Sequence, residues 1–133
     1  FNGDTAAANA LDDYEEGTWT PTDNSGASLS LTTRTPVYTK IGRLIYFYAY
    51  ISFPATSNTA AVSIAGLPYT IHGNEYYPQF TVRCTDATVS AKNLTFQGST
   101  SGTVITFFEG DQSVTNNEIS SRSVLINGVY ETT

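Results

Sequence analysis

The segment from Arg43 to Phe53, RLIYFYAYISF, alternates with the two-residue period of a β-strand. Ile45, Phe47, Ala49, Ile51 and Phe53 make one apolar face, and Leu44, Tyr46, Tyr48, Tyr50 and Ser52 make the other. Pro54 has no N–H to give to a ladder and closes the strand. Such a strand buries its odd side and turns tyrosines outward, so it needs neighbours of the same kind. The rest of the chain supplies them. Its 133 residues include 21 Thr, 13 Ser, 9 Tyr and 7 Phe. Thr, Tyr and Phe fit a pleated, half-buried surface, which points to an all-β domain. The hydrophobic fraction of 40% is enough for one core, and the length allows one compact domain.

Further strands are expected at Val37–Ile41, Ala60–Leu67, Gln79–Thr85, Thr88–Phe96, Thr103–Glu109 and Ser123–Glu131. Turn signals separate them: Gly42, Ser57-Asn58, Gly73-Asn74, residues 98–102 and Gly110-Asp111. Strands at this spacing predict an antiparallel β-sandwich of roughly eight strands, jelly-roll-like in order. Residues 5–14, TAAANALDDY, are the one stretch of good helix formers, with Asp4 or Thr5 to cap it and Gly17 to end it. A ten-residue helix is marginal alone and is expected to pack on something, a further copy of itself included. The stretch WTPTDNSGAS reads as irregular loop. The expected organisation is a short helical segment over residues 1–17 and a sandwich over 18–133.

Charge removes several function classes. Net charge is −6, with Asp4, Asp12, Asp13, Glu15 and Glu16 ahead of the first base, Arg34. An acidic leader on a nearly neutral body disfavours binding to a phosphate backbone, so no nucleic acid is expected as partner. Cys84 is alone, which excludes an internal disulfide and a zinc cluster built on cysteines. No apolar run approaches the roughly 20 residues of a membrane helix, so no membrane insertion is expected. Phe1 as first residue, with no Met in the chain, suggests a piece of a longer protein.

Catalytic patterns are thin. Glycosidase chemistry needs two facing carboxyl groups. The candidates are the 12/13/15/16 group, whose plain interpretation is a solvated face, and Glu109 with Asp111, which flank a turn glycine. His72 has no G-x-S-x-G partner motif, and Cys84 alternates with Phe80 and Val82 like a small buried side chain. No catalytic residue and no cofactor are expected, and the residues leave any metal open. Aromatic side chains carry more information, because sugar rings stack on them while a phenol bonds a hydroxyl. Tyr76 and Tyr77, with Asn74 beside them and the lone Trp19, are the candidate glycan contacts. The stripe of Tyr46, Tyr48 and Tyr50 is expected to be buried, under a second sheet or against another subunit.

Four segments resemble a known family. NALDDYEEGTWTP (Asn9 to Pro21) resembles a sequence of bacteriophage tail fibres and tailspikes, where it leads from an elongated shaft into a C-terminal β-sandwich. YTKIGRLIYF (Tyr38 to Phe47) is similar to that domain's strand entry, IAGLPYT (Ile64 to Thr70) to one of its turns, and INGVYETT (Ile126 to Thr133) to its final strand. The resemblance implies a non-enzymatic homotrimer at the distal end of a virion fibre or spike. Its partners would be two further copies, the upstream shaft or β-helix, and a bacterial surface polysaccharide or lipopolysaccharide. In a trimer, Ala6, Ala10 and Leu11 would face the axis, and Tyr14 with the Tyr46, Tyr48 and Tyr50 strand would lie in the subunit interface. The clustered acids would then turn outward, bind a cation or pair with Arg34, Lys40 or Arg43. A free-standing carbohydrate-binding module is the alternative, and a glycan-cleaving enzyme the weakest one.

Overall fold

In the computed structural model, the described residues are 14–74, 77–85 and 94–133. They form ten strands, β1 (Tyr14–Thr18), β2 (Thr22–Asp23), β3 (Thr32–Ile41), β4 (Leu44–Ser52), β5 (Ser63–Ala65), β6 (Gln79–Cys84), β7 (Leu94–Gly98), β8 (Val104–Glu109), β9 (Gln112–Ser113) and β10 (Ser123–Glu131). A single 3₁₀ turn, Asn116–Ile119, is the only helical element among the described residues. All pairings are antiparallel and run β1-β3-β4-β10-β6-β7-β8-β5-β2, with β9 on the side of β8. The all-β antiparallel class is therefore as the sequence predicts. The layers are not separate sheets, however. β6 pairs with β10 on one side and β7 on the other, so one sheet curls through it.

The curl has a sequence cause. β1 and β2 stand at opposite ends of the hydrogen-bonded path, yet only Trp19, Thr20 and Pro21 separate them in the chain. Three intervening residues hold the strand ends within about 14 Å, so the two edges must approach each other. Trp19 fills the seam: it is buried, its N–H donates to Pro36 O at 2.9 Å, and its Nε1 donates to Tyr48 O at 3.1 Å. Its ring meets Phe47 edge-on at 5.7 Å. On the far side of the seam, Gly66 lies at φ +99°, and a Cβ there would sit 2.2 Å from the Thr20 carbonyl oxygen. Only glycine lets the β5 exit and the Trp19–Pro21 link come this close.

Inside the curl, the odd side of β4 (Ile45, Phe47, Ala49, Ile51) is fully buried, as its alternation predicts. It packs with Val124, Ile126 and Tyr130 of β10, Phe80 and Cys84 of β6, Phe96 of β7 and Ile105 and Phe107 of β8. Phe47, Phe80 and Tyr130 make an edge-to-face trio. Gly128 leaves the space, since a Cβ there would lie 2.3 Å from the Phe80 ring.

Two expectations change. Residues 14–17 are not the end of a helix but the first strand, because Tyr14 to Thr18 find hydrogen-bonding partners from Ile41 to Val37. Pairing with an existing strand outweighs the weak helix preference of a short segment. The remainder of the expected helix, with Ala6, Ala10 and Leu11, lies outside the described residues. The stretch after Trp19 is less irregular than it reads, because Thr22 and Asp23 pair with Ala65 and Ile64. Asp23 then organises the following loop. Its carboxylate accepts from Ser25 N and Leu29 N at 3.0 Å and from Ser25 Oγ at 2.7 Å.

Candidate functional site

On β4 the even positions point away from the core, and the register extends that face across four strands. Tyr14, Ile41, Leu44 and Glu131 form one cross-strand row, and Glu16, Thr39, Tyr46 and Val129 form the next. Thr18, Val37, Tyr48 and Asn127 follow, and past a bulge between Arg34 and Val37 come Arg34, Tyr50, Leu125 and Arg83. Among the described residues, six large apolar side chains are exposed, and all but Tyr77 lie in the first two rows: Tyr14, Ile41, Leu44, Tyr46 and Val129. Thr39, Ile41, Leu44, Tyr46 and Val129 line a shallow hollow of about 230 Å³. Isolated exposed apolar side chains are ordinary, whereas a contiguous patch marks a contact surface.

Tyr14, Tyr46, Tyr48 and Tyr50 thus share one face. Their burial under a second sheet does not occur, because the curl takes the opposite side of β4 inward. Tyr46 is 46% exposed, and Tyr48 and Tyr50 are half-buried. The Arg34 guanidinium lies over the Tyr50 ring at 5.8 Å. Alternation within one strand does not point to the aliphatic half of the patch, Ile41 and Val129. Each stands in a strand of its own, and only register brings them beside Leu44 and Tyr46. The outward place of Leu44 was legible from alternation.

Beneath the patch, on the inner side of the β1 edge, Glu15 gathers the motif segments. Tyr38 OH donates to Glu15 Oε1, and Tyr69 OH donates to Oε2 at 2.5 Å. These two phenols, Tyr38 first, hold the Glu15 carboxyl below the usual carboxylate range, with the Lys40 charge adding to the effect. The same hydrogen bond to Glu15 pushes the Tyr69 phenol well up. Lys40 Nζ sits 5.9 Å from the centre of the Tyr69 ring, directly across the ladder from Glu15. Tyr130 OH donates to Tyr69 O at 2.9 Å and accepts Tyr69 N–H at 3.2 Å. The segments 9–21, 38–47, 64–70 and 126–133 therefore meet here, through Glu15, Tyr38, Tyr69 and Tyr130. Glu16 instead accepts from Tyr14 OH on the outer face.

The predicted glycan contacts are dispersed. Trp19 is only 5% exposed and belongs to the core, so it offers no ring to a ligand. Its position two residues before a proline read as loop, but the seam draws it inward. Tyr77 is 47% exposed at φ +51°, and Asn74 is exposed with its N–H donating to His72 Nδ1 at 3.2 Å. Tyr76 lies outside the described residues. A Cys–His pair does not form. Cys84 is buried opposite Val124, whereas His72 N–H donates to Glu131 O, seven residues or about 23 Å further along β10. Among the described residues, no group of three His, Cys, Asp or Glu side chains is placed to hold a metal. Comparison with protein-family models, curated proteins and solved structures finds no match to this chain.

Proposed function

We propose that this chain is a non-enzymatic attachment domain of the kind that ends bacteriophage tail fibres and tailspikes. It assembles as a homotrimer and contacts a glycan of the bacterial surface. In this reading the curled sheet is a jelly-roll-like sandwich, and the chain sits at the distal end of a virion fibre, following a shaft or β-helix.

The observation that carries the proposal is the contiguous apolar face of Tyr14, Ile41, Leu44, Tyr46 and Val129, which none of the described residues covers. Tyr-rich apolar surface is what subunit interfaces are made of. A further copy suits it by charge as well. Glu16 borders the apolar end of the face, while Arg34 and Arg83 stand in the Tyr50 row. Four residues of β4, about 13 Å, separate the Tyr46 row from the Tyr50 row. Convergence of the four family-like segments on Glu15 supports the same reading, since it ties them to one structural feature.

Light scattering at low and high salt tests it. The expected mass is near three times the 14.4 kDa of the chain, falling to a single chain when Leu44 and Tyr46 are both replaced by Asp. A wild-type monomer overturns the assembly, and a trimer indifferent to the double substitution overturns the interface. The second reading, a free-standing carbohydrate-binding module, predicts the monomer.

A further inference from the structure

The outer face of the other half of the sheet is chemically unlike the tyrosine face. Buried Phe96 and Phe107 point Thr95, Gln97, Thr106 and Phe108 outward from β7 and β8. Cross-strand pairing puts Gln79 beside Gln97 and Phe108 beside Thr95. With the Gly110-Asp111 turn, Gln79, Thr95, Gln97 and Phe108 enclose an open groove of about 330 Å³. That volume is at the small end of ligand sites, which run from about 300 to 1,000 Å³.

We infer that this groove is a binding site for a neutral saccharide, one or two sugar rings at the end or within a chain. Two carboxamides supply both donors and acceptors, the Thr95 hydroxyl supplies either, and Asp111 accepts two hydroxyls at once. Those groups answer a ring of vicinal hydroxyls, which also both donate and accept. Half-buried Phe108 offers its ring to the apolar C–H face of a sugar. Among the described residues, no cation lines the groove, and Asp111 repels anions, so sialylated, uronic or phosphorylated sugars are disfavoured. A peptide would want apolar pockets, which this lining lacks. Just before the groove, Tyr77 holds a left-handed backbone that a bulky residue adopts only under strain, and its carbonyl accepts from Gln79 Nε2 at 3.5 Å.

The inference rests on the attachment reading for its biological sense, and it names the sugar class that reading leaves open. The test titrates the ¹⁵N-labelled chain with maltotriose, cellotriose and chitotriose, and with tri-galacturonic acid as the anionic comparison. The side-chain amide signals of Gln79 and Gln97 should move saturably with at least one neutral trisaccharide, in the millimolar range typical of small sugars. Gln97→Ala and, as an independent change, Asp111→Asn should each weaken that binding at least 10-fold while leaving the remaining amide signals in place. No saturable movement with any neutral probe, movement unchanged in both variants, or stronger binding of the acidic trimer overturns the inference. Oligomeric state separates the two proposals: a monomer that binds sinks the trimer alone, and a trimer that does not bind sinks the groove alone.

Discussion

Across β3, β4 and β10 the outward positions are Ile41, Leu44, Tyr46, Tyr48 and Val129, whereas across β7 and β8 they are Thr95, Gln97, Thr106 and Phe108. Both sets lie on the back of one continuous sheet, and both have a fully buried phenylalanine immediately in front of them, Phe47 in one half and Phe96 or Phe107 in the other. The fold constrains the inner side of the two halves in the same way, through burial. It leaves the outer side free, and there the halves diverge, one toward apolar contact area and the other toward hydrogen-bonding groups. Outer positions are thus where function is to be sought. The difference in their chemistry separates a surface suited to another copy of the chain from one suited to a hydroxyl-rich ligand.

The largest effect should come from the side the halves share. Phe47→Ala removes a ring that touches Trp19, Phe80 and Tyr130. It should cost about 3–5 kcal/mol in denaturant unfolding, with Trp19 fluorescence and far-ultraviolet circular dichroism changing together. If the two probes separated, the halves would not be one cooperative unit and the comparison would need redrawing. Next, Leu44→Asp with Tyr46→Asp should change the solution mass, while an acidic residue at Gln97 should leave it unchanged. Equal effects on mass would erase the distinction between the faces.

A smaller effect concerns the edge beneath the tyrosine face. Glu15 bound to two phenols has its pKa lowered in the folded chain, so the stabilisation is fully present above the unfolded glutamate value of about 4.3. It is lost as pH falls through the lower folded value. Tyr69 is shifted the other way. Its contribution is present below the ordinary phenol value of about 10 and disappears as pH rises through the higher folded one. Glu15→Gln should flatten the acid limb of a melting-temperature profile below about pH 4.3, with Trp19 emission reporting on the neighbouring seam. A profile identical to wild type would mean that the carboxylate does not hold β1 in place. The smallest effect is expected in the groove, where Gln97→Ala should shift stability by no more than about 0.5 kcal/mol. A larger loss would reassign Gln97 from ligand contact to structure.

Legibility from sequence followed the range of the interactions involved. Ser123–Glu131 was read with the bounds it has, and β4 within one residue, because inward-outward alternation is written into consecutive residues. Turns at Gly42 and Gly110-Asp111 were equally local. Ala and Leu upstream of β1 favour a helix, so the sequence of β1 reads as the end of one. Nothing within Tyr14–Thr18 signals that Ile41 to Val37 would be available to pair. Trp19 reads as a surface ring because its neighbours Thr18, Thr20 and Pro21 are those of a loop. The groove was not anticipated at all, although Thr95 and Gln97 alternate with Phe96 in a recognisable way.

By itself, the sequence determined that this chain is a β-protein, which side of its longest strands is buried, and where several of its hairpins turn. Those properties depend on the chirality and alternation of neighbouring residues, which act over a few positions. Tertiary structure decided the register that sets Ile41, Leu44, Tyr46 and Val129 side by side and the meeting of Glu15 with Tyr38 and Tyr69. It also decided the closure that draws Trp19 inward. Each of these depends on hydrogen bonds and packing between residues far apart in the chain. Such contacts form only once the whole sheet has curled on itself.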